Sequence, residues 1–200
     1  LHLSRLSRFV HEVEPKKGMD LMNVRFRART DGRGFYEAMK GTYRERFQLF
    51  RKVESVTDSA QVIKLINSDR YNSLVNSVVE EPLTLVYDTS FVSNSDNIVI
   101  IANKPERIEL DISVSSNALL VAAEPWFPAW RAELDGKNLP ILHADFLFRG
   151  VEIPQGQHRL VFKYESDAFN KGVKLSAAAL LFLLLMTGFG PRVKTAIWKQ

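Results

Sequence analysis

The dipeptide Asp135-Gly136 constrains this chain more than any other pair of residues, because it sits between two segments that alternate in hydrophobicity. Before it, Trp130, Ala132 and Leu134 alternate with Arg131 and Glu133, the two-residue period of a half-buried strand. Asp-Gly supplies the positive φ angles of a tight type I′ turn, so the chain must return antiparallel. A two-residue loop sets Leu134 against Lys137, Ala132 against Leu139 and Trp130 against Ile141. That register makes Trp130 a core residue. Pro140 falls on the opposite face, where its missing N–H suits an edge strand.

The same alternation recurs on both sides of the hairpin. Ile108, Leu110, Ile112 and Val114 alternate with Arg107, Glu109, Asp111 and Ser113, and Leu160, Phe162 and Tyr164 alternate with Arg159, Val161 and Lys163. Leu119 to Ala123 is a more buried run, and Phe146 with Phe148 continues the set. Upstream, strands are expected over 21–27 and 47–56, with apolar runs at Val78-Val79, 83–87 and 98–101. Asp58 or Thr57 caps a helix carrying Ala60, Ile63, Leu65 and Ile66 and ending near Asn67. Residues 1–18 read as a connector whose short helix, built around Leu3, Leu6 and Val10, closes at Pro15 and Gly18. Short strands separated by turns at this spacing predict a mainly β fold: an antiparallel, jelly-roll-like β-sandwich over 19–171 with one or two short helices.

After the last strand the composition changes. Leu175 to Gly190 carries no charge and is apolar all round a helical wheel, leaving no face for water. Counted from Gly172, with Lys174 snorkelling, the segment reaches nearly 30 Å at about 1.5 Å per residue, which predicts a C-terminal transmembrane helix over 172–190. Residues 191–200 form a basic tail with Trp198 at interfacial height. Lysines also precede the span, so the charge bias places the C-terminus in the cytoplasm only by a narrow margin. The first residues lack the apolar core of a secretory signal, and the sequence reads as part of a longer protein.

Catalytic motifs are sparse. No G-x-S-x-G, P-loop or G-x-G-x-x-G occurs, and a chain without cysteine has neither a disulfide framework nor a thiolate metal site. His143 and Asp145 form an H-x-D pair with His158 nearby, which lacks a further ligand at metal spacing, so no metal or cofactor is assigned. Glu133 and Asp135 resemble a carboxylate pair, but the turn accounts for Asp135. Arg25, Arg27, Arg29 and Arg33 form the one local positive cluster, read as a solvated face. A net charge of +4 spread along the chain does not make a nucleic-acid surface. The candidate ligand-facing residues are Trp126 and Phe127, in a loop between Pro125 and Pro128, with Arg131 beside them; aromatic faces there suit sugar rings.

The run Leu119-Leu-Val-Ala-Ala-Glu-Pro-Trp-Phe-Pro-Ala-Trp-Arg-Ala-Glu-Leu-Asp-Gly-Lys137, with Phe148-Arg-Gly-Val151, Ile153-Pro154, Gly156-Gln-His158 and Val161-Phe-Lys-Tyr164 before an apolar span, resembles the C-terminal end of the YfhO family of bacterial multi-spanning membrane proteins. Met19 to Phe26 is similar to an upstream strand of that family, and Ala129 stands where its glycine is usual. The resemblance implies a parent similar to GT-C glycosyltransferases, which use polyprenyl-phosphate sugars and act on envelope glycopolymers or lipids. It also implies a β domain outside the bacterial cytoplasmic membrane, with the lipid bilayer and upstream transmembrane helices of the same protein as partners. The family's catalytic acid lies in an early outer loop with no counterpart here, so no catalytic residue is carried over. The alternative is a membrane-anchored structural, assembly or carbohydrate-binding module without catalysis.

Overall fold

The computed structural model describes residues 2–28, 36–38, 43–90 and 95–188. Two compact units result, residues 1–164 and residues 165–200. The first is mainly β, with two principal sheets and a few short helices.

The hairpin forms in the expected register. Strands β9 (Trp130–Leu134) and β10 (Lys137–Leu139) pair Leu134 with Lys137 and Ala132 with Leu139, and the turn residues Asp135 and Gly136 have φ of 50° and 78°. The ladder stops at Leu139, because Pro140 has no N–H to extend it, and β10 lies at a sheet edge. The expected pair of Trp130 with Ile141 therefore does not form, and on the other side of β9 Trp130 pairs with Tyr164 of β13 (Gly156–Tyr164). Strand β13 also pairs along its length with β7 (Arg107–Val114), and β7 with β6 (Asn97–Lys104), completing a five-stranded antiparallel sheet. In β7 every second residue is buried, as the alternation requires: Ile108, Leu110, Ile112 and Val114.

The second sheet contains β3 (Phe47–Phe50), β8 (Ala118–Pro125), β12 (Phe148–Ile153), β11 (Leu142–Ala144), β5 (Asn76–Val79) and β4 (Lys52–Ser55), in that order. The expected strand over 47–56 is thus two strands. Only Arg51 separates β3 from β4, although they occupy opposite edges, so the sheet must curl until its edges meet at that residue. Arg51 is held there by Asp96 at 2.6 Å and by the Ser116 hydroxyl at 2.6 Å.

The expectation of purely antiparallel pairing is corrected at β4 and β5, which run parallel. The reason is the intervening helix α3 (Ser59–Asn67), the crossover connection that a parallel pair needs. Helix α3 starts where expected: the Asp58 carboxylate accepts from the Ala60 amide at 2.9 Å, satisfying one of the free N–H groups of the first turn.

Strand β8 is buried on both faces and so divides the interior in two. Leu120 and Ala122 join Leu110, Phe162 and Val151 between the two sheets, whereas Leu119 and Val121 join Val62, Ile63 and Ile66 of α3 on the other side. Helices α1 (His2–Glu12) and α2 (Pro15–Leu21) complete that second cluster with Phe9, Val13 and Leu21.

This N-terminal part departs from the expectation in three ways. Pro15 opens α2 instead of closing a helix, since a first-turn residue needs no N–H. Leu3, Leu6 and Val10 face solvent, and Phe9 and Val13 face inward. Leu21 ends α2, so the strand expected from residue 21 begins only at Phe26, in β1 (Phe26–Ala28), which pairs with β2 (Tyr36–Ala38). Residues 83–87 are likewise not a strand. Their amides at Thr84 and Leu85 and the Tyr87 hydroxyl all donate to Glu152, which takes over the role of a ladder.

The second unit contains α4 (Asp167–Gly188). Among the described residues no helix is long and apolar enough to cross a membrane. Lys171 and Lys174 lie in its opening turns, so the uncharged stretch from Leu175 to Gly188 covers only about 21 Å at about 1.5 Å per residue, against a hydrocarbon core of about 30 Å. The remainder of the segment expected to span, and the basic tail, lie outside the described residues. What α4 does show is exposure: the seven consecutive residues Leu180 to Met186 are each more than half exposed.

Candidate functional site

The loop joining β8 to β9 carries the aromatic residues of interest. Pro125 and Pro128 restrict its backbone, and two amides fasten it: Trp126 donates to the Leu147 carbonyl at 2.7 Å and Trp130 to that of Phe127 at 3.0 Å. Trp126 is half-buried. Its indole N–H donates to the Ile141 carbonyl at 3.1 Å, and its ring stacks on His143 with centroids 3.9 Å apart. Phe127 points the other way, 40% exposed, and stacks on Tyr164, itself 41% exposed, at 6.1 Å. Arg131 is exposed on the same strand start, and its guanidinium donates to the carbonyls of Pro128 at 2.6 Å and Trp130 at 3.2 Å. Of the three candidates, Phe127 thus shares a surface with Tyr164, Trp126 lies with His143, and Arg131, which pairs with Lys163, belongs to the opposite face of its strand.

Behind the loop is a charged group that strand alternation left unnoticed. Arg149 of β12 is fully buried between the sheets, over the Trp130 ring at 4.1 Å and the Phe162 ring at 4.9 Å. It pairs with Glu124, whose carboxylate also accepts from Arg46 at 2.7 Å. Nε and Nη1 of Arg149 have no hydrogen-bond partner among the described residues. Burial, with a smaller contribution from Arg46, pushes the guanidinium down to about 10, which still leaves it charged at neutral pH. Its signal in the sequence was position: Arg149 lies two residues before the inward-facing Val151 and so on the same face.

The histidines and carboxylates resolve into separate structural pairs. Asp145 is wholly buried and ion-paired with Arg44, whereas His143 faces Glu81, so the H-x-D motif is split between two networks. His158 contacts Asp135 at 2.7 Å, and Glu133 takes the Lys163 ammonium at 2.5 Å. Asp135 is held below its usual range by the His158 hydrogen bond first and the Arg159 amide second. Among the described residues no three His, Asp or Glu side chains are grouped to hold a metal ion. Arg25 pairs with Glu45 at 2.7 Å and lies over Tyr43, and the side chains of Arg27, Arg29 and Arg33 lie outside the described residues.

No family model, curated protein or solved structure matches this chain.

The Glu81 pair carries a pH dependence. Burial alone would raise this carboxyl, but hydrogen bonds from the His143 ring and from its amide at 2.8 Å outweigh that and lower it. A lowered folded-state value adds stability that is complete above the unfolded value near 4.3 and disappears as pH falls through the folded one. Glu81→Gln should therefore unfold in less urea than the parent at pH 7, and the two denaturation midpoints should converge in the acid limb below about pH 4. A gap that persisted unchanged at low pH would mean that the glutamine disturbs packing and not charge.

Proposed function

We propose that this chain is a non-catalytic β module attached to a bacterial cytoplasmic membrane through α4, corresponding to the extracytoplasmic C-terminal part of a YfhO-like, GT-C-related protein. The observation that carries the reading is the uninterrupted exposure of Leu180 to Met186. Seven consecutive residues cover nearly two turns, so this part of the helix offers no polar side to water and is suited to lie within lipid rather than along its surface. Counting Gly172 to Gly188, with Lys174 reaching toward headgroups, the helix covers about 26 Å, a mismatch that local bilayer thinning absorbs. Among the described residues Glu133 is paired with Lys163 and Arg44 with Asp145, which favours a positioning or assembly role for the module over chemistry. Trp126, with one ring face against His143, favours assembly over sugar binding.

The test is vesicle flotation followed by an alkaline wash. The whole chain should float and resist the wash, and Leu183→Lys should return it to the soluble fraction. A parent chain that stays soluble and monomeric without detergent would remove the reading. At the level of the parent protein, upstream sequence encoding about ten apolar spans with an acidic residue in the first outer loop supports the glycosyltransferase relationship; its absence supports a simple anchored module.

A further inference from the structure

We infer that Phe127 and Tyr164 form a docking surface for the headgroup boundary of a phospholipid bilayer, a step that rests on α4 lying in lipid. Three observations carry it. The first is placement: Tyr164 closes the first unit, and only Glu165 and Ser166 separate it from the start of α4. The three steps from Tyr164 to Asp167 reach at most about 10 Å and the helix from Asp167 to Gly172 adds about 8 Å, so a helix seated in lipid from Gly172 leaves this tip within about 18 Å of the hydrocarbon, in reach of the headgroups.

The second is chemistry. Phe127 and Tyr164 are large, stacked and each about two-fifths exposed, at 40% and 41%, and Trp130 meets the Tyr164 ring edge-on at 5.4 Å. A phenol has an apolar body and a polar end, and two such exposed rings match the aromatic girdle found at bilayer surfaces. The third is rigidity. Two prolines, the Trp130 amide bond to Phe127 and the Arg131 bonds to two loop carbonyls fix the tip before any partner arrives, so docking orders little further chain.

Because the chain has no cysteine, single labels report cleanly. The whole chain carrying Pro128→Cys, or Lys137→Cys at the start of β10 beyond the far turn, is labelled with the polarity-sensitive dye NBD and bound to vesicles of phosphatidylethanolamine and phosphatidylglycerol. NBD at 128 should shift to the blue and be quenched by lipids spin-labelled near the headgroup, while NBD at 137 keeps its emission in water. Adding Phe127→Ser and Tyr164→Ser should abolish the change at 128 without preventing flotation. If the chain floats and the dye at 128 stays in water, the docking surface is wrong and the α4 reading stands; if the chain does not float, both fall. A change at both positions, a change that survives the double serine variant, or a change at 128 without vesicles, as self-association would give, also overturns the inference.

Discussion

Asp145→Asn should lower the free energy of unfolding by about 3–5 kcal/mol, the loss expected when one partner of a buried ion pair is removed and the other stays charged. Asp145 and Arg44 are both without exposure and pair directly. The carboxylate further accepts from the Tyr71 hydroxyl at 3.0 Å, the Ser77 hydroxyl at 3.0 Å and the Val78 amide at 2.8 Å. The guanidinium in turn donates to the carbonyls of Ser73 at 2.9 Å and Asn76 at 3.0 Å. The network thus ties the β11–β12 turn to β5 and to the segment before β3. Burial opposes the charge on Arg44, but Asp145 more than compensates and keeps its pKa above the ordinary value, while burial and Asp145 raise Tyr71 well above its own.

Asparagine isolates the electrostatic part of the loss. Asp145 has φ of 47°, a left-handed conformation that asparagine adopts readily and alanine does not, so the turn keeps its shape. The measurement is urea unfolding in mild detergent, followed by tryptophan fluorescence. Arg44→Met combined with Asp145→Asn should recover most of the loss, because the orphaned cation is gone. A single-variant deficit under about 1 kcal/mol would mean that water reaches the pair.

What the sequence made legible follows the length scale of each interaction. The Asp135-Gly136 turn, the alternation in β7 and the Asp58 cap depend on neighbours within a few residues, and each stands where local rules put it. The parallel pairing of β4 with β5 was hidden because residues 47–56 look like one continuous strand; nothing local marks Arg51 as the point where the chain passes from one sheet edge to the other. The candidate loop was found by its prolines and aromatics. Its division into Trp126 with His143, and Phe127 with Tyr164, depends on partners from 17 to 37 residues away along the chain and had no local signal. Arg149 was missed because a charge at an inward position is read as an interruption of the pattern, although Glu124 and two aromatic rings compensate it.

The N-terminal helix shows how an apolar count misleads where phase decides, and Phe9→Ala is the experiment that measures it. Leu3, Leu6 and Val10 are as apolar as Phe9 and Val13, yet the first three face solvent. Position is set by contacts that the helix makes elsewhere. Arg5 pairs with Glu80 at 2.5 Å and donates to the Phe146 carbonyl at 2.8 Å, and Arg8 lies over the Phe146 ring at 5.2 Å. Asn67 grips the end of α1, accepting from the Glu14 amide at 2.8 Å and donating to the Glu12 carbonyl at 2.7 Å. With the rotation so fixed, Phe9 is 1% exposed and meets Phe148 of β12 edge-on at 5.6 Å. Truncating it removes a buried aromatic and leaves a cavity against β12, a loss of about 3–5 kcal/mol. Leu3→Ala, on the same helix but 83% exposed, should change stability by no more than about 0.5 kcal/mol. Equal small effects at both positions would show that α1 is a detachable connector, and a large difference would show that the β unit cannot hold its second core without it.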